Sequence, residues 1–112
     1  MRTIVCTSLI SFVLCGCLDT SKIAPRVLQL GAVKDVDVLE RGREIYINQC
    51  TKCHNALRVT RFSKFEWDSE ILPDMVEEAS LKSSDVKAVT SYIHAVLQSQ
   101  TNLYTSADSS SR

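Results

Sequence analysis

The chain has 112 residues, 45% apolar, with 13 basic and 13 acidic side chains and a formal net charge of zero. That length allows one small domain, the apolar share excludes wholesale disorder, and the absence of a basic excess argues against a nucleic-acid partner. With only 6% aromatic residues, a core of side chains alone would be modest, and domains of this size commonly lean on a disulfide, a metal or a cofactor.

Arg2 is the only charge before Asp19, and between them runs TIVCTSLISFVLCGC. The run falls short of the about 20 apolar residues that span a bilayer, and it has the form of a secretory signal. Its end, Leu14-Cys15-Gly16-Cys17, resembles the lipobox of bacterial lipoproteins. The resemblance implies removal of residues 1–16 and a diacylglyceryl thioether on Cys17, placing the mature chain on the periplasmic side of a bacterial membrane. Ordinary signal cleavage, leaving a soluble periplasmic protein, is the alternative. Five cysteines are an awkward number for a disulfide framework. Loss of Cys6 and Cys15 with the signal, and of Cys17 to lipid, leaves Cys50 and Cys53.

Residues 17–34 show no sustained period and are punctuated by Pro25 and Gly31, which predicts a tether between lipid and domain, partly packed on its surface. A helix is expected over residues 35–50, capped by Asp35 or Asp37, with Leu39, Gly42, Ile45 and Tyr46 on its inner face and Glu40, Arg41, Arg43 and Glu44 towards solvent. Gly42 costs such a helix about 1 kcal/mol against alanine, and a close backbone neighbour is the usual reason for accepting that. Residues 51–65 read as a loop. Over residues 67–80, Trp67, Ile71 and Met75 make one stripe, interrupted by Pro73. The clearest helix is residues 83–98, capped by Ser83 or Ser84, with Asp85 in its first turn and Val86, Val89, Ile93 and Val96 as its seam. The remainder, 99–112, is polar and serine-rich and is expected to fray. The fold class is therefore all-α, with three main helices over residues 35–98.

The chemistry concentrates in Cys50-Thr-Lys-Cys53-His54. Two thiols separated by two residues and followed at once by a histidine form the attachment signature of a c-type haem: each thiol adds to one vinyl group, and the imidazole falls beneath the iron. A zinc site would need four ligands, and His94 is the only histidine besides His54. A redox dithiol belongs at a helix start in a β-α-β setting, whereas this pair follows a helix.

Around this motif the chain resembles the small monohaem class I c-type cytochromes. Gly42 and Tyr46 before CTKCH and Tyr92 on the last helix match that family's helix-packing residues. Trp67, Met75, Ala79 and Leu81 match a bacterial subgroup, so the likeness covers about residues 36–98. It implies a cytochrome c fold wrapped around one covalent haem c, thioethers at Cys50 and Cys53, and His54 and Met75 as axial ligands. The implied role is single-electron transfer between redox partner proteins, not enzymatic conversion of a substrate. His94 is the rival for the distal position, although a hydrogen-bonded surface histidine suits its place at the edge of the seam. A haem-based sensor or small haem enzyme with a displaceable Met75, and a zinc-binding structural module, are the alternatives. Two further expectations concern charge. Arg58 or Arg61 would meet a haem propionate, as Trp67 could through its N–H if it does not simply pack. The base-free run Glu66, Asp68, Glu70, Asp74, Glu77, Glu78 would face a docking partner.

Overall fold

The computed structural model describes residues 20–31, 34–52, 55 and 57–109. The signal segment 1–16, Cys17, Cys53 and His54 lie outside these residues. Among those described the protein is all-α: helices and short 3-10 turns, with no strand and no helix long and apolar enough to cross a membrane.

Helix α1 spans Val36–Ile45 and continues through a wide π turn, Tyr46–Cys50. Leu39, Gly42, Ile45 and Tyr46 are buried, as their spacing predicts. Two details differ. Asp35 occupies the cap position in the left-handed region (φ 56°), and its side chain makes no capping hydrogen bond. Arg43 is half-buried rather than solvent-facing, because its Nε donates to the Ala24 carbonyl at 3.1 Å.

Helix α4 spans Ser83–Ser109 and packs along α1. Of its predicted seam, Val89, Ile93 and Val96 are fully buried while Val86 is only half-buried, and Ala88 and Tyr92 join it. The crossing depends on Gly42. A Cβ there would lie 2.1 Å from the Ala88 carbonyl oxygen and 2.7 Å from Tyr92 Cβ, so only hydrogen fits between the two backbones. Ser83 is already the first helical residue, not a cap; the Asp85 and Val86 N–H groups both donate to the Lys82 carbonyl at 2.9 Å. Asp85 instead accepts from Arg41 Nε and Nη2 at 3.3 and 3.2 Å, joining the two helices at the surface.

Helix formation resumes earlier than the loop reading of 51–65 allows. Ser63 and Glu66 form a capping box: the Ser63 N–H donates to Glu66 Oε2 at 2.7 Å and the Glu66 N–H to Ser63 Oγ at 3.3 Å. This starts α2, Lys64–Glu66, which runs through a second π turn, Trp67–Ile71, into α3, Leu72–Glu78. The Leu72 N–H reaches back five residues to the Trp67 carbonyl. Pro73 explains the widening, since in an even α-helix its ring would collide with the carbonyl of Ser69, which lies in that turn. The far end of α3 is a Schellman motif: Ser80 N–H donates to Glu77 and Leu81 N–H to Val76, both at 3.1 Å, with Ser80 at φ 50° where glycine is usual.

Two boundaries need correction. Residues 20–30, within the stretch expected to be a tether partly packed on the domain surface, are part of the folded body. Between the 3-10 turns Thr20–Lys22 and Val27–Leu30, the side chains of Ala24 and Val27 are fully buried in the common core. Three bonds from distant elements fasten this strap: Val59 N–H to the Ile23 carbonyl (3.2 Å), Arg43 to Ala24, and the Tyr92 hydroxyl to the Pro25 carbonyl (2.7 Å). The second correction concerns the tail, which is helical to Ser109 rather than frayed. No glycine or proline follows Pro73, so the ladder nucleated in the packed turns propagates without a breaker. The hydroxyls of Thr101 and Ser106 bond back to the carbonyls of Leu97 and Asn102 at 3.2 and 3.0 Å.

Candidate functional site

Cys50 ends the π turn of α1, buried in the core and free of any disulfide. Burial pushes its thiol up to about 11, so it stands neutral at pH 7. The chain then passes through Cys53 and His54, outside the described residues, and returns at Leu57 pinned from inside. The Tyr46 hydroxyl donates to the Leu57 carbonyl at 2.6 Å, and the Trp67 indole N–H donates to the Val59 carbonyl at 2.8 Å. Two buried aromatics, one before the motif and one well after it, thus hold the segment that follows CTKCH. Burial raises the Tyr46 hydroxyl well above its ordinary value, so it remains a donor.

These aromatics form one group. Tyr46 meets Trp67 edge-on with centroids 6.1 Å apart, leans on Tyr92 at 6.4 Å, and Phe62 stands perpendicular to Trp67 at 5.7 Å. Of the two roles considered for Trp67, packing is the one observed, with its N–H engaged by Val59.

Met75 lies on α3, half-buried against the same apolar cluster that contains Cys50. Ile71 and Leu81 pack there too. His94, on α4, is turned elsewhere: its Nε2 lies 2.6 Å from Asp68 Oδ1 at the surface. It has the hydrogen-bonded surface position that its place on the seam's edge suggests.

Arg58 and Arg61 line one surface hollow of about 510 Å³ together with Leu57 and Thr60. Arg61 also lies over the Phe62 ring, 5.8 Å from its centroid. The acidic run is divided by the fold. Glu66 is spent on the Ser63 cap, and Asp68 pairs with Lys64 and His94, which hold its carboxyl below the usual carboxylate range. Glu70, Asp74, Glu77 and Glu78 are exposed.

Sequence reasoning misses the two donors that clamp the post-motif segment. The hydroxyl of Tyr46 and the indole N–H of Trp67 were readable as donors that need partners once buried, but nothing in their spacing points to Leu57 and Val59. No protein-family model, curated protein or solved structure matches the chain.

Proposed function

We propose that the chain is a lipid-anchored monohaem c-type cytochrome with a cytochrome c fold, working as a single-electron carrier on the periplasmic side of a bacterial membrane. One observation carries the reading: the helix that delivers CTKCH starts the motif on a buried, unpaired sulfur and is locked to the last helix by a glycine that lets two backbones touch.

The residues suit a covalent haem. A desolvated sulfur at Cys50, packed in the apolar cluster, suits a thioether, which carries no charge. Cys50 and Cys53 would hold the macrocycle, His54 and Met75 would fill the two axial positions, and Arg58 or Arg61 would balance a propionate. A haem bound there would supply a one-electron ferric/ferrous couple, with axial ligands and burial setting its potential. The protein's own contribution is to exclude water with Tyr46, Trp67, Tyr92 and Val59 and to keep the segment after the motif in place. The exposed acids of α3 offer redox partners a docking face that acts on encounter rate more than on affinity.

The test is to export the chain in cells that mature c-type haem and to stain a denaturing gel for haem. The purified protein is expected to hold covalent haem, to be low-spin and to refuse carbon monoxide. Replacing Met75 with alanine should produce a form that is high-spin when ferric and that binds carbon monoxide once reduced to the ferrous state. A colourless product with free thiols at Cys50 and Cys53 sinks the proposal, and carbon monoxide binding by the unmutated protein argues for a sensor or enzyme instead.

A further inference from the structure

The strap of residues 20–30 bears on how the domain sits at a membrane. Its buried side is Ala24 and Val27, tied to α1, α4 and the 59–61 turn. Peeling it away would expose two core residues and break those ties, so it cannot serve as a leash. If Cys17 carries lipid, only Leu18 and Asp19 lie between the acylated residue and the folded body. Three residues of fully extended chain reach about 10 Å, about one Debye length at moderate salt. The body is therefore held within electrostatic range of the headgroups.

What the strap presents outward suits that position. Lys22 and Arg26 are exposed, and Leu28 is 84% exposed on the turn Val27–Leu30. From Cys17 to Lys34 the chain has three bases and one acid, Asp19. Basic side chains beside an exposed aliphatic one, next to an acyl anchor, form the second signal that strengthens anchoring to an anionic surface.

We propose that the outer side of residues 20–30 is a seat for an anionic lipid surface, so that the domain lies against the bilayer in a restricted orientation instead of swinging on a tether. This rests on the acylation of Cys17. The acidic stretch of α3 is not part of the seat.

The test uses the exported, matured protein in phosphatidylcholine vesicles with and without phosphatidylglycerol, footprinted with an amine-reactive reagent and read by mass spectrometry. The comparison protein has an about 20-residue Gly/Ser insert between Asp19 and Thr20, whose mean span is about 25 Å. With phosphatidylglycerol present, Lys22 should be labelled several-fold less in the native chain than in the inserted one, while exposed Lys82 and Lys87 are labelled equally in both. Arg26→Glu combined with Leu28→Ser, both at exposed positions, should restore much of the Lys22 labelling. Equal Lys22 labelling in native and inserted chains, with lipid found on the Cys17 peptide, overturns the seat alone. A Cys17 peptide without lipid, in protein that fails to float with vesicles, overturns the acylation reading and the seat with it. Protection that follows protein density rather than phosphatidylglycerol content assigns the surface to a second copy and overturns the lipid seat.

Discussion

Residues 20–30 contain two short 3-10 turns and take their fastening bonds from elsewhere in the chain, yet Ala24 and Val27 are wholly enclosed. Residues 97–109 form an unbroken helix, yet Leu103 and Tyr104 are 63% and 82% exposed. Regularity and burial thus run in opposite directions at the two ends of the described chain. Enclosing a valine is worth about 1.5–3 kcal/mol, whereas exposed turns rich in serine, threonine and asparagine gain little from their own ladder. The irregular end should therefore carry more of the stability than the regular one.

Substitutions can break or sharpen that contrast. The largest effect is expected at the crossing of α1 and α4. Gly42→Ala forces a methyl group into the Ala88 backbone and should cost about 3 kcal/mol, read as a lowered denaturant midpoint. Val27→Ala should cost about 2 kcal/mol by the same measurement. Its neighbour Leu28, exposed on the same turn, should tolerate alanine within about 0.5 kcal/mol. Tyr92→Phe removes the bond to the Pro25 carbonyl and should cost about 1 kcal/mol, with faster amide exchange within residues 20–30 as its specific sign. Ending the chain after Asn102 should change least, lowering the helical circular dichroism signal but shifting stability by no more than about 0.5 kcal/mol. If that truncation cost more than Val27→Ala, the contrast between the ends would be mistaken.

The same contrast explains what was legible in the sequence. Leu39, Gly42, Ile45 and Tyr46, and Val89, Ile93 and Val96, repeat at helical spacing, so both main helices and the close approach at Gly42 could be read before any coordinates. Ala24 and Val27 span less than one helical turn, with Pro25 between them and Gly31 beyond, and a pattern that short carries no period. Their burial comes from tertiary bonds with partners far along the chain. The Ser63–Glu66 box was readable as a helix start, yet it straddles the end of the stretch, 51–65, that the lack of an apolar period marks as a loop. At the candidate site the motif is wholly a property of sequence, as is the choice of Met75. The turning of His94 towards Asp68 is not, because their meeting depends on how α4 lies beside the π turn.

That π turn, Trp67–Ile71, has one more consequence. Even winding advances about 100° per residue, which would leave Met75, eight positions on, about 80° around the axis from Trp67. A π turn absorbs one residue, so the two stand as seven positions would, about 20° apart. Winding the same residues evenly would rotate everything beyond the turn by about a hundred degrees and carry Met75 off the line it shares with the indole, whereas deleting one residue from Asp68–Glu70 would remove the π turn and leave that line intact. The winding of this stretch, as much as the identity of its residues, aims the only sulfur that α3 has to offer.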